Sequence, residues 1–194
     1  MNCINKVGII GEGKMGSSIF HYILPFDLDL VWVCSPDADI DKISKQFIKR
    51  ITRSLDTGII DEPRFDRLMN TVITRDLCEL QTCDLIIEAV PEKLELKKNL
   101  FARLNKVVKP DAIFASNSSS INPSEMTPDG KRNGKFIGLH FFFPVSLKNI
   151  VELTVTDDTS EHTLLIVESF LLGIQRRFIT LDERNSFMLN KIFL

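Results

Sequence analysis

The protein has 194 residues, 44% of them hydrophobic and 26% charged, with 24 basic side chains against 26 acidic ones. This is ordinary globular composition, which excludes collagen-like, disordered and coiled-coil chains. A net charge of −2 gives no broad attraction to nucleic acid or acidic membranes, and no apolar run approaches bilayer-spanning length.

Length predicts one domain, or one and part of a second. The first residues, Met1-Asn-Cys-Ile-Asn-Lys6, run directly into a strand-like segment. They carry neither the apolar core of a secretion signal nor the Arg/Ser-rich helix of a transit peptide, so a cytoplasmic protein is expected. Apolar runs of strand length then alternate with stretches of helical period, the pattern of a parallel sheet with crossover helices. Strands are expected over 7–10, 30–34, 85–89, 112–115 and 136–140, with a further strand-like run at 149–154. Their continuous apolar character predicts burial on both faces. A helix starting near Lys14 must end before Pro25. Between the second and third expected strands, Ile40, Ile43, Phe47, Ile51 and Leu55 form one helical stripe, with Lys42, Lys45, Lys49 and Arg53 opposite. A second helix follows, capped by Asp61 with Pro63 in its first turn. This helical pair is an insertion in a minimal strand–helix–strand unit. Leu96, Leu100, Leu104, Val107 and Val108 then mark a helix closed by Pro110. Cys3, Cys34, Cys78 and Cys83 lack zinc-ligand spacing, so no metal site is expected and the thiols read as small core residues.

Gly11-Glu12-Gly13-Lys14-Met15-Gly16 directly follows the first strand and opens a helix. In that context the first glycine makes a tight turn and the second lets backbone approach a pyrophosphate. The third permits close helix–sheet packing, and the helix N-terminus offers unpaired N–H groups. An acid is expected about 20 residues on to bind ribose hydroxyls. Ser35 stands in that place, with Asp37 two residues later. Ser116-Asn-Ser-Ser-Ser120 follows another strand, where open α/β sheets bind ligands, although a plain serine-rich loop reads the same way. His140 ends an apolar strand, and Glu152 interrupts the next apolar run. The two read either as a general base with its partner or as a satisfied structural pair. His21 and His162 lie in helical stretches without such context.

These segments resemble the NAD-binding domain of the L-3-hydroxyacyl-CoA dehydrogenase family, which includes 3-hydroxybutyryl-CoA dehydrogenases. The resemblance rests on Lys6-Val-Gly-Ile-Ile-Gly-Glu-Gly-Lys-Met-Gly16, Asp84-Leu-Ile-Ile-Glu-Ala-Val-Pro-Glu-Lys-Leu-Glu-Leu-Lys-Lys98, Phe114-Ala-Ser-Asn-Ser-Ser119 and Gly138-Leu-His-Phe-Phe-Phe-Pro144. It implies an α/β, Rossmann-like, doubly wound and mostly parallel sheet with a helical-pair insertion after the second strand. It also implies NAD-dependent oxidation of L-3-hydroxyacyl-CoA to 3-oxoacyl-CoA, or the reverse reduction, as in fatty acid β-oxidation; NADP stays open. The catalytic set carried over is His140, Glu152, Ser119 and Asn190. The cofactor set is Gly11, Gly13, Lys14, Met15, Gly16, Ser35, Asp37, Ala89, Glu92, Lys97 and Asn117. Ser119 and Asn190 would hold the substrate oxygen, with Lys42, Lys45 and Lys49 facing coenzyme A phosphates. Residues 1–184 would form the NAD-binding domain, and 185–194 the start of a linker or helix towards a C-terminal helical domain that forms a homodimer. The chain departs from the family at Ser35, where aspartate is usual, and at Phe143, where asparagine is common. It departs again at Asn185-Ser186, which replace Pro-Gly. The alternatives are a related hydroxy-acid dehydrogenase and a non-catalytic dinucleotide-binding protein.

Overall fold

Each apolar run of the chain becomes a strand with two covered faces, and each amphipathic stripe becomes a helix laid on one of them. A computed structural model describes residues 3–127, 132 and 134–186. In chain order the elements are β1 (Lys6–Ile10), α1 (Lys14–Ile23), β2 (Asp29–Val33), α2 (Ile40–Asp56), α3 (Glu62–Met69) and β3 (Val72–Thr74). They continue with β4 (Leu85–Glu88), α4 (Leu94–Val107), β5 (Ile113–Ser116), α5 (Pro123–Met126), β6 (Phe136–Phe141), β7 (Ile150–Val155), α6 (Glu161–Gly173) and β8 (Arg177–Asp182). The described strands form one sheet in the order β3-β2-β1-β4-β5-β6-β7-β8. Strands β1 to β6 pair in parallel, β7 reverses against β6, and β8 runs parallel to β7. From β1 the chain winds outward through β2 and β3, then crosses back to β4 on the other side of β1. The crevice at the carboxyl ends of β1 and β4 is therefore a topological switch point, where open α/β sheets bind ligands.

Strand residues alternate between two apolar clusters. Val7, Ile9, Leu30, Trp32, Leu85 and Ile87 pack with α1, α2 and α6 on one face. Ile10, Val31, Val33, Ile86 and Phe114 pack with α4 on the other. The expected insertion forms as α2 and α3. Phe47 and Ile51 are buried while Lys42, Lys45 and Lys49 are exposed. The side chain of Asp61 caps α3, accepting from the Arg64 N–H at 3.1 Å.

The short strand β3 and the edge strand β8 lie outside the expected set. β3 is only three residues long and half-buried throughout, and β8 buries none of its residues fully, so neither shows a continuous apolar run. The cysteines divide: Cys34 and Cys83 are buried in the two apolar clusters, but Cys3 and Cys78 are exposed. No helix among the described residues is long and apolar enough to cross a membrane. Nor do the described residues contain a cluster of three or more His, Cys, Asp or Glu side chains placed to hold a metal.

Candidate cofactor cleft and active site

β1 ends at Ile10, and the chain turns at Gly11 with φ of +113°, a conformation L side chains rarely adopt. A Cβ on Gly16 would lie 2.1 Å from the Gly11 carbonyl oxygen, so this glycine lets α1 sit against the turn. Gly13 is different, because nothing lies within 4 Å of its missing Cβ. The chain does not need glycine there, and the bare backbone opens onto the cleft. Gly13 is also the N-cap of α1, without a side-chain cap and without an acidic residue in the first turn. The unpaired N–H groups and the positive end of the helix dipole suit a pyrophosphate. The loop therefore fits a dinucleotide.

A cleft of about 1150 Å³ opens above this loop. Its lining runs from the glycine turn and the Ser35 tip of β2, across Ala89 to Glu92 after β4, to Asn117, Ser119, and His140 to Phe143. Trp32 underlies the turn, stacked on Phe20 at 4.3 Å and donating its Nε1–H to the Gly11 carbonyl at 2.8 Å.

Glu88 ends β4 fully buried, beside Ser116 in the β4–β5 register. Its carboxylate accepts from the Ser116 hydroxyl, the Val90 N–H at 2.8 Å and the Lys97 ammonium at 2.7 Å. Lys97 comes inward from α4 and is 1% exposed. The same ammonium reaches Glu92 at 3.2 Å. Glu92 in turn gathers the serine loop, accepting from the Ser118 hydroxyl, from the Ser119 and Ser120 N–H groups at 3.0 Å, and from the Ser120 hydroxyl. Partial burial pushes the Glu92 pKa up, but these hydroxyl donors and Lys97 together hold it below the ordinary glutamate value. Asn117 bridges the other way, its side-chain Oδ1 accepting from the Phe141 N–H at 2.8 Å.

His140 and Glu152 are direct cross-strand partners in the antiparallel β6–β7 pair, so their side chains share one face. His140 Nδ1 lies 2.9 Å from Glu152 Oε2, with Glu152 fully buried and His140 reaching the cleft. The buried carboxylate thus orients the imidazole through Nδ1 at the edge of the cleft. The loop beyond β6 is fixed by Arg176, which lies over the Tyr22 ring at 3.5 Å and donates to the Val145 and Lys148 carbonyls.

Residues 6–184 match the family model "3-hydroxyacyl-CoA dehydrogenase, NAD binding domain". The chain belongs to this family. It is 32% identical to a 3-hydroxybutyryl-CoA dehydrogenase of Mycobacterium tuberculosis, over 100% of the chain and 68% of that protein. The crystal structure of (S)-3-hydroxybutyryl-CoA dehydrogenase PaaH1 from Ralstonia eutropha superimposes with a TM-score of 0.83 at 28% identity, covering 98% of this chain and 68% of that one. A diketoreductase acting on dicarbonyl compounds gives the same TM-score of 0.83 at 28% identity, covering 99% and 69%. The chain thus spans about two thirds of the length of the 3-hydroxybutyryl-CoA dehydrogenases it matches.

Within this 3-hydroxyacyl-CoA dehydrogenase NAD binding domain, the structure gathers Gly11, Gly13, Lys14, Met15, Ser35, Ala89, Glu92, Asn117, Ser119 and His140 around one cleft. Gly16, Lys97 and Glu152 stand behind that lining, each buried against a residue that forms it. Asp37 is exposed beyond the β2 tip and is not among the cleft residues. Lys42, Lys45 and Lys49 lie exposed on α2, also away from the lining. Asn190 falls outside the described residues. Two residues of the site had gone unnoticed in the sequence. Glu88 carried a signal, a carboxylate inside an apolar strand, whereas Glu12 sat unremarked between the glycines.

Proposed function

We propose that the protein oxidises an L-3-hydroxyacyl-CoA to the 3-oxoacyl-CoA with NAD, or runs the reverse reduction, using His140 as general base and acid. The observation that carries this reading is the His140–Glu152 pair opening into the cleft that begins at the glycine turn. NAD supplies the hydride acceptor when bound. His140 takes the proton of the 3-hydroxyl in oxidation and returns it in reduction. Glu152 orients the ring and offsets the charge it gains. Ser119, whose backbone is tied to Glu92, and Asn190 hold the oxygen on C3. Glu88, Lys97 and Glu92 act behind the cleft, keeping the serine loop in place. Residues 1–184 make up the cofactor domain, with 185–194 leading towards the helical part through which the family would dimerise.

The test is NADH consumption with acetoacetyl-CoA. His140→Ala should lower kcat by about 10²–10⁴-fold, the range a positioned acid–base group contributes. Wild-type turnover by that variant would remove His140 from the mechanism.

A second reading keeps the chemistry and changes the substrate to a carbonyl compound without coenzyme A. It is favoured by the placement of Lys42, Lys45 and Lys49 outside the cleft and by the likeness to a diketoreductase. Reduction of a 3-oxo ester, combined with none of acetoacetyl-CoA, would select it.

A further inference from the structure

The carboxyl end of β2 lacks its own acid. Ser35 stands there, neutral and exposed, and Asp37 is not among the cleft residues. A carboxylate nevertheless occupies the position. Glu12, in the glycine turn, reaches across to Ser35. One of its oxygens accepts from the Ser35 N–H at 2.8 Å and the other from the Ser35 hydroxyl at 2.6 Å. Both residues line the cleft. Partial burial pushes the Glu12 pKa up, but the two Ser35 bonds and its own backbone N–H together hold the group below its ordinary value. Glu12 is thus a carboxylate anion at neutral pH, fixed at the strand tip by both oxygens. A carboxylate offers about four acceptor positions. Ser35 uses two and the backbone N–H of Glu12 itself engages another, which leaves room for a ligand hydroxyl.

We propose that Glu12 replaces the missing β2 acid, binding the vicinal hydroxyls of the adenosine ribose and disfavouring a 2′-phosphate, so that the protein selects NAD over NADP. Diol recognition needs an anion with spare lone pairs held rigidly at the end of β2, and Glu12 meets each condition. A 2′-phosphate would instead place about two negative charges beside it. Arg75 also lines this end of the cleft, but its guanidinium donates to the Ala38 carbonyl, Nε at 3.1 Å. Those bonds hold it against the loop after β2 but leave its charge and other N–H donors, so Arg75 draws a 2′-phosphate and Glu12 opposes it. The inference rests on the NAD reading of the cleft and adds which residue makes the choice.

Direct binding of NADH and NADPH, followed by calorimetry and by quenching of Trp32, tests it without turnover. The wild type should bind NADH more tightly than NADPH. Glu12→Gln keeps an acceptor for Ser35 but loses the charge. It should weaken NADH about tenfold and leave NADPH unweakened, collapsing the preference. Adding Ser35→Asp to a Glu12→Ala background should restore it. Equal weakening of both dinucleotides by Glu12→Gln would make Glu12 a loop latch and overturn the inference, as would tighter wild-type binding of NADPH. Binding of neither dinucleotide by the wild type would overturn both the inference and the reading beneath it.

Discussion

Glu88 and Glu152 are both fully buried in strands, yet their surroundings differ in kind. Glu88 is matched by an ammonium at 2.7 Å, a hydroxyl and a backbone N–H, all within the protein. Glu152 is matched to an imidazole that also faces the cleft. A buried charge whose partner is deleted keeps its desolvation cost. Lys97→Met should therefore destabilise the protein by about 3–5 kcal/mol, read as a lower urea midpoint. A change within error would show that the Glu88 charge is compensated without Lys97. Glu152→Gln keeps a hydrogen-bonding group of the same size but removes the charge that opposes an imidazolium. It should lower kcat more than it raises KM, and an unchanged kcat would reduce Glu152 to a packing group. The His140–Glu152 pair was visible in the sequence as an acid breaking an apolar run. The Glu88–Lys97 pair obeys the same rule, but a lysine in an amphipathic helix looks solvent-facing until the helix is docked.

At the scale of elements, the glycine turn and α1 form one unit with β1 and β2. The Trp32 indole donates to the turn itself, and the chain has a single tryptophan. Dinucleotide binding should therefore quench the intrinsic fluorescence, and a titration with no change would place the ligand elsewhere. Gly16→Ala would drive a Cβ into the Gly11 carbonyl. Loss of NADH binding with the far-UV circular dichroism retained is expected, and unaltered affinity would mean the turn can move aside. On the opposite face, Phe101 is fully buried against Phe114 and against Phe136, whose ring lies 4.7 Å away. Phe101→Ala should cost about 3–5 kcal/mol, measured by urea denaturation. The helix α2 was legible from its apolar stripe and α3 from its Asp61 cap, because both are local signals. The short edge elements β3 and β8 were not, since they bury too little apolar surface to stamp a period on the sequence.

For the whole molecule, pH enters through His21. Its Nδ1 has no hydrogen-bond partner among the described residues. Burial first, and the positive charge of Arg50 second, push its pKa down to about 4. The folded state thus holds the neutral ring, while the unfolded chain protonates near 6.5. Its contribution to stability is complete above pH 6.5 and is lost as pH falls towards 4. Urea midpoints at pH 7 and pH 5 should differ in the wild type and differ less in His21→Gln. Identical pH dependence in the two proteins would assign the effect to other groups.

Local patterns in the chain were sufficient for the parallel sheet, the glycine turn opening α1 and the inserted helical pair. Strand character, capping and turn chemistry act over a few residues, so the sequence states them directly. The pairing of charges belongs to the tertiary structure. His140 meets Glu152 only because β7 reverses against β6 in a register that sets them opposite each other. Lys97 meets Glu88 only because α4 lies on the face of the sheet where that carboxylate points. Glu12 meets Ser35 only because β2 is the parallel neighbour of β1, which brings its tip beside the glycine turn. Each contact joins residues on different elements, through electrostatic interactions that weaken with distance and solvent exposure. No sequence period encodes them, and they exist once the sheet has brought the groups together.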